Sequence, residues 1–219
     1  MRGLTGHSEH ARTNQGPTVS PSGADALRDM LSDYEALLES KGARVRRYLA
    51  HGVDRQHIER EFEKISLVPN EELVTWFEWA NGTVQSSDMP AGGPILPFIV
   101  NVSVEVAVDR YKQFRDSDDE FAMWAWSEGW FGIEESGYSL NVSCLGPSDQ
   151  PPLVQNADPE GHEVGSEHNE YQVVSLCTLV TYWAEAVENG ACLWLPERRA
   201  WDIQFSSLPR EYVAVGMLP

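Results

Sequence analysis

The spacing of apolar residues changes along this chain, and the change limits which folds the sequence can adopt. Before Gly82, apolar residues recur every three or four positions, which is the period of amphipathic helices. From residue 94 they form short runs bounded by glycine, serine and proline, as strands do. A last helical run follows Ser175. This order predicts an α+β fold with a mixed, mainly antiparallel sheet and the helices packed on one side.

Four helical segments are expected in the first part of the chain. One runs from Ala24 to about Lys41, a short one covers residues 43–50, and two begin at the N-caps Asp54 and Asn70. Helical spacing assigns their apolar positions to the core. These positions are Leu27, Met30, Leu31, Tyr34, Leu37, Leu38, Ile58, Phe62, Ile65, Leu73, Trp76, Phe77 and Ala80.

The second part of the chain is expected to alternate short strands with two helices. Ser103 is placed to cap a helix that buries Val106, Ala107 and Tyr111, and a closing helix ends at Asn189-Gly190. Turn residues separate the apolar runs between them, which favours a meander. The runs expected to form strands are residues 94–102, 121–126, 130–135, 137–146, 152–157 and 171–174.

Composition divides the chain into three regions. Residues 1–22 are polar and rich in Gly, Ser, Thr and Pro, with no periodic hydrophobicity, so they are predicted to be a disordered tail. Residues 23–52 are predicted to be a helical N-terminal extension. Residues 53–219 contain the remaining helices and every predicted strand, and are expected to form the main domain.

The charge balance is strongly acidic, with 34 Asp and Glu against 16 Lys and Arg and a formal net charge of -18. Binding to nucleic acid or to an anionic membrane needs clustered cations, so neither is expected as a partner. An acidic surface favours a basic protein partner, although it also serves solubility alone. The sequence leaves the oligomeric state open.

The cysteines and the N-terminal segment indicate a cytoplasmic protein. Cys144, Cys177 and Cys192 are few and form no CxxC pair, which fits buried thiols in a reducing compartment. No segment reaches the ~18 apolar residues of a membrane span. The first 23 residues lack the apolar core of a secretory signal.

A search for catalytic chemistry finds only weak candidates. The loop 158–170 holds His162 and His168, six residues apart, and a loop does not fix such a pair on one face for a metal as a helix would. A cysteine with a histidine base is another option, but small buried thiols are far commoner. The adjacent pairs Asp118-Asp119 and Glu134-Glu135 read as solvated charge. The sequence therefore predicts no enzyme, no catalytic residue, no metal and no cofactor.

The order of these segments resembles the SMI1/KNR4 family, also called the SUKH superfamily, from about Val53 to Gly190. The chain departs from the family pattern at Val68, where the family usually carries leucine before the proline. The segments that carry the resemblance are the Pro-led helix ending in Asn81-Gly82, the WFGI block Trp130–Ile133, and Ser175-Leu176 before the closing helix.

The resemblance implies a SUKH-like mixed α+β fold without catalytic residues. It also implies, for bacterial members, an intracellular immunity protein that binds and neutralises a toxin domain, often a nuclease. Eukaryotic relatives suggest the alternative of a regulatory scaffold for a housekeeping or cell-wall partner. Combined with the acidic charge, the expected partner is a basic toxin domain. The residues predicted to bind it are Asp116, Asp118, Asp119, Glu120, Glu134 and Glu135.

Overall fold

The fold is α+β, as the sequence predicts. The structure, a computed structural model, describes residues 9–13, 16–84, 86–87, 89–90, 100–118, 126–135, 140–156, 172–204 and 207. Within these residues the α-helices are α1 (Ala24–Ser40), α2 (Arg55–Glu63), α3 (Glu71–Trp79), α4 (Val104–Arg115) and α5 (Leu176–Glu188). A short 3₁₀-helix covers Val45–Tyr48.

The strands form one mixed sheet and one separate hairpin. The sheet order is β1-β2-β6-β5-β4-β3, in which β2 and β6 are parallel and every other pair is antiparallel. The hairpin pairs β7 with β8. The strands are β1 (Glu9–Thr13), β2 (Gly16–Ser20), β3 (Trp130–Gly132), β4 (Leu140–Ser143), β5 (Leu153–Asn156), β6 (Gln172–Val174), β7 (Cys192–Leu195) and β8 (Ala200–Ile203).

Local capping chemistry sets the helix starts where the sequence places them. The side chain of Asp54 accepts a hydrogen bond from His57 N at 2.8 Å, and that of Asn70 accepts one from Leu73 N at 2.9 Å. Ser103 caps α4 in the same way. Each cap satisfies a backbone N–H that has no partner within its own helix.

One row of side chains across the sheet forms the floor of the core. Phe131, Val142, Val154 and Val173 are aligned by the strand register and therefore point to the same face, and each is at most 1% exposed. The Phe131 ring packs against Phe62 of α2, Phe77 of α3 and Tyr111 of α4, with centroids 4.4–6.3 Å apart. The helices gather on this face, as predicted.

Helices α1, α3 and α5 pack side by side and run in the same direction. From one end to the other, Cys177 of α5 contacts Gly23, Thr181 contacts Met30, and Trp183 stacks near Tyr34 of α1. The indole N–H of Trp79, the last residue of α3, donates to Glu35 Oε2 in the second half of α1 at 3.3 Å. The three N-termini therefore meet at one end of the molecule, named here the amino pole, and the three C-termini meet at the opposite carboxyl pole.

A buried carboxylate joins the three N-termini at the amino pole. Glu72 of α3 is 1% exposed. Its Oε1 accepts hydrogen bonds from Gly23 N at 2.9 Å and from Ser175 Oγ at 2.7 Å, and its Oε2 accepts one from Leu176 N at 2.7 Å. Burial raises the pKa of Glu72, while the three donors act against that rise. The anion also complements the positive ends of parallel helix dipoles.

The N-terminal segment differs from its prediction. Residues 9–13 and 16–20 form strands instead of a disordered tail. The backbone of Thr18 pairs with Val174, Val19 is 2% exposed, and Val19 N donates to Thr178 Oγ1 at 3.0 Å. Pairing of β2 with β1 and β6 joins this polar stretch to the sheet, and periodicity cannot reveal such long-range pairing.

Two further predictions, for residues 23–52 and for Val106, can be compared with the structure. Residues 23–52, predicted to be a helical extension, contain α1 and the 3₁₀-helix, and Leu27 and Tyr34 belong to the same hydrophobic core as the sheet residues. The boundary at residue 53 stays a prediction. On α4, Val106 was expected in the core but is 42% exposed, since the helix turns its Ala107, Val108 and Tyr111 side inward.

Replacement of Glu72 should cost far more stability than replacement of its neighbour. Glu72→Ala leaves two backbone N–H groups and one hydroxyl without their acceptor in the core, so we expect a loss of roughly 3 kcal/mol or more in unfolding free energy. Glu71→Ala removes only a partly exposed ion pair with Arg55 and should cost about 1 kcal/mol or less. Urea denaturation of both variants measures the difference, and equal losses would contradict the role assigned to Glu72.

Candidate functional site

The acidic residues predicted to bind a partner differ in their environments where the structure describes them. Asp116 and Asp118, at the end of α4, are exposed, as predicted. Asp116 is already paired, because Arg115 donates to both of its carboxylate oxygens at 2.8 and 3.1 Å. This pairing lowers the pKa of Asp116. Asp119 and Glu120 lie outside the described residues.

Glu134 is a wrong prediction for a binding residue, because it is only 4% exposed. The chain continues in extended form beyond β3, so that Glu134 pairs with Asn101 in an isolated bridge. Its carbonyl accepts a hydrogen bond from Arg110 at 3.0 Å. The turn begins one residue later, and Glu135 is exposed as predicted. Two adjacent glutamates that look equivalent in the sequence therefore lie in opposite environments.

Helix α1 carries an acidic stripe that the sequence reading missed. Asp25, Asp29 and Asp33 are exposed and follow one another at four-residue spacing, which places them on one line along the helix. Asp25 pairs with Arg28 at 2.7 Å. Asp29 and Asp33 have no ion-pair partner within the described part of the chain. The same helical spacing that identified the core face of α1 was sufficient to find this stripe.

The stripe is not explained by helix stability. Asp25 lies in the first turn, where the helix dipole favours a carboxylate. Asp29 and Asp33 lie beyond that turn, and like charges four residues apart cost roughly 0.2–0.5 kcal/mol per pair. The chain therefore keeps a small unfavourable interaction between Asp29 and Asp33 on an exposed face.

A groove of about 410 Å³ lies between the end of β4 and the loop that follows it. Leu145 on its rim is 63% exposed and packs over the backbone of Gly129, where a Cβ atom would be 2.4 Å from Leu145 Cδ2. The acidic residues Glu128 and Asp149 adjoin these positions in sequence and are exposed. Its lining includes Asn70, Trp130, Leu145, Pro147, Pro151 and Leu153.

Three hydrogen bonds attach this groove to the amino pole. The Asn70 amide donates to the Ser143 carbonyl at 3.0 Å, and Glu71 N donates to the Ser148 carbonyl at 2.9 Å. Ser175 N donates to the Pro152 carbonyl at 2.7 Å. Because Asp25 begins α1 at the same pole, one end of the molecule combines a partly apolar groove with the start of the acidic stripe.

The cysteines are not poised for nucleophilic attack. Burial raises the pKa of Cys144 to about 12 and that of Cys192 to about 11. Burial, together with the Glu72 carboxylate 4.0 Å from its Sγ, raises the pKa of Cys177 to about 12. The nucleophile in cysteine chemistry is the thiolate, and these groups are thiols at neutral pH.

A histidine and a carboxylate do meet between α2 and α4. His57 Nε2 lies 2.6 Å from Glu105 Oε1, and the Asn81 amide donates to Glu105 Oε2 at 3.2 Å. Asn81 Oδ1 accepts from Val104 N at 2.8 Å, so this asparagine also caps α4. His57, Asn81 and Glu105 each have a hydrogen-bond partner within this cluster. The cluster therefore connects α2 to the start of α4.

The described residues contain no group of three or more His, Cys, Asp or Glu side chains placed to hold a metal ion. The sequence candidate, the loop 158–170 with His162 and His168, lies outside those residues. The adjacent pair Glu134-Glu135, expected to be solvated charge, is divided between a buried and an exposed member. Asp118 is described without its neighbour Asp119.

Comparison with known proteins adds no relative. Neither a scan against protein-family models nor a search of curated proteins found a match. Among the described helices, none combines the length and the apolar character that crossing a bilayer requires.

The link at Glu105 should appear as an acid-sensitive contribution to stability. Partial burial acts to raise the pKa of Glu105, but hydrogen bonds from Ser103, its own backbone N–H, His57 and Asn81 outweigh it and lower the pKa to about 2. A carboxyl whose folded pKa is depressed stabilises the fold above its ordinary pKa, and this contribution is lost as pH falls.

Urea denaturation as a function of pH measures this contribution. Between the ordinary pKa of 4.5 and about 2, wild type should lose stability more steeply than Glu105→Gln. Glu59→Gln, an exposed carboxylate on α2, is the control and should follow wild type. If the unfolding free energies of wild type and Glu105→Gln fell in parallel with pH, the hydrogen bonds would not lower the pKa of Glu105.

Proposed function

We propose that this chain is a non-enzymatic protein-binding module of the immunity type, which binds a basic toxin domain in the cytoplasm and blocks it. The observation that carries the proposal is the acidic stripe on α1, where Asp29 and Asp33 are exposed and have no ion-pair partner among the described residues. The net charge of -18 extends the same negative field around the molecule. Such a field attracts a basic domain and raises its association rate.

The groove at the amino pole supplies an apolar contact surface, which charge alone does not provide. Protein interfaces have a partly apolar centre within a polar rim, and their binding energy is concentrated in a few buried anchors. Exposed Leu145 offers an apolar surface next to the largely buried Trp130, and the exposed Glu128 and Asp149 are close in sequence to residues that line the groove. We expect the partner to insert an apolar side chain here while its cations face the stripe and the rim.

The resemblance to SMI1/KNR4 proteins supports the immunity assignment, and the protonated thiols and internally satisfied carboxylates favour binding over catalysis. A regulatory scaffold is the alternative function. It would use the same surface without blocking an activity, so the recovered partner's own activity distinguishes the two. Inhibition of that activity by stoichiometric amounts of this chain supports immunity, whereas unchanged activity supports the scaffold.

The first test is retention of partners from the native lysate at low and moderate salt, followed by stopped-flow association with the protein recovered. Asp29→Asn combined with Asp33→Asn should slow association by about tenfold at low salt, because the steering charge is removed. The difference should shrink as salt shortens the screening length to ~8 Å.

The control for charge is Glu63→Gln combined with Asp109→Asn, which changes the net charge equally but on α2 and α4. It should leave association near the wild-type rate. Leu145→Ser tests the groove separately and should speed dissociation more than it slows association. The stripe would not be the binding surface if the stripe variant and the control variant slowed association equally. The same would follow if the association rate did not depend on salt concentration.

A further inference from the structure

Two asparagine-glycine pairs follow helices of this fold, and the structure places them in different surroundings. Asn81-Gly82 follows α3, and Asn189-Gly190 follows α5. In such a pair the backbone nitrogen of the glycine can attack the side-chain carbonyl carbon of the asparagine, because glycine has no Cβ atom to shield that nitrogen. The rate of this reaction in a folded protein depends on how firmly both groups are held.

The carboxamide of Asn81 is held at both of its polar atoms. Its Oδ1 accepts a hydrogen bond from Val104 N at 2.8 Å, and its Nδ2 donates to Glu105 Oε2 at 3.2 Å. Gly82 is buried, and a Cβ atom placed on it would lie 2.6 Å from Ser103 N. The Asn81 side chain can therefore turn toward Gly82 N only after both hydrogen bonds break, one of them to a carboxylate.

The carboxamide of Asn189 lacks these restraints. The residue is exposed, and its side chain forms no hydrogen bond with any residue that the structure describes. Gly190 N donates to the Val187 carbonyl at 3.4 Å, which is longer than a typical hydrogen bond. A Cβ atom placed on Gly190 would meet only Leu193 Cδ2, at 3.8 Å. The two reacting groups are therefore held far less firmly here than at Asn81.

We propose that Asn189 is a site of spontaneous deamidation in the folded chain, with water as the co-reactant. Gly190 N forms a bond to Asn189 Cγ, and the bond between Cγ and Nδ2 breaks. The proton of Gly190 N leaves with the amide nitrogen as ammonia, and a cyclic succinimide remains. The reaction involves only this chain and water, so the inference does not depend on the proposed function.

Hydrolysis of the succinimide gives two products. Water adds to one of the two ring carbonyl carbons, and the bond from that carbon to Gly190 N breaks. Attack at the former side-chain carbon leaves aspartate at position 189. Attack at the main-chain carbon leaves isoaspartate, in which the main chain runs through the former side chain. Neither step needs an oxidant or a reductant, and both products carry a new carboxylate.

Both products change the junction between α5 and β7. The last turn of α5 contains Glu185 and Glu188 and no basic residue, so a carboxylate at position 189 adds like charge at the negative end of the helix dipole. Isoaspartate also adds one carbon atom to the main chain shortly before Ala191 and Cys192, which are 2% and 1% exposed. Modification of Asn189 therefore acts against the packing of the residues that follow it.

Incubation of the full chain at mildly alkaline pH, followed by peptide mapping with mass spectrometry, measures both sites in one sample. In the folded chain, product at Asn189 should form at least about tenfold faster than product at Asn81, because two hydrogen bonds oppose the second reaction. In urea the two rates should become similar, because unfolding removes the restraints. Glu105→Ala should speed the reaction at Asn81, with the rate at Asn189 as the internal control.

Gly190→Ala tests the succinimide route, because a Cβ atom shields the attacking nitrogen, and it should slow the reaction at position 189 severalfold. Far-ultraviolet circular dichroism confirms that each variant is folded. Wild type should contain isoaspartate as well as aspartate at this position, and aspartate alone would overturn the route. Equal rates at the two sites in the folded chain, no product at Asn189, or a rate difference that persists in urea would overturn the inference.

Discussion

The buried carboxylate of Glu72 holds together the end of the molecule on which the three parallel helices depend. Parallel helix dipoles oppose close packing, and their free N–H groups cannot be left unpaired in a core. Glu72 answers both requirements, since it accepts from Gly23 N, Ser175 Oγ and Leu176 N. Ser175 adopts a φ of 81°, a region that non-glycine residues rarely occupy, and the same contacts hold it there.

This parallel packing also gives the molecule two different ends. At the amino pole a negative group satisfies the helix N-termini, and the acidic stripe and the groove surround it. At the carboxyl pole Arg46 donates to the carbonyl of Trp79 at the end of α3. The same electrostatic rule that stabilises the bundle therefore explains one charged group at each pole.

Much of the fold could be predicted because the signals are local. Asp54, Asn70 and Ser103 cap their own helices, and the burial of Trp76 follows from three- and four-residue spacing. The candidate site was harder to predict. Glu134 and Glu135 are equivalent as letters, yet a bridge to Asn101 buries only the first. The stripe on α1 was within reach of the same helical spacing.

The sequence by itself determined the class of fold, the helix starts, the core faces and the acidic character, because each depends on neighbours within a few residues or on composition. The tertiary structure alone decided what those residues do. Glu71 and Glu72 both suit the first turn of α3, but the first pairs with Arg55 at the surface and the second caps a helix about a hundred residues away. Such a partnership depends on which chain segments meet, and no local pattern encodes that.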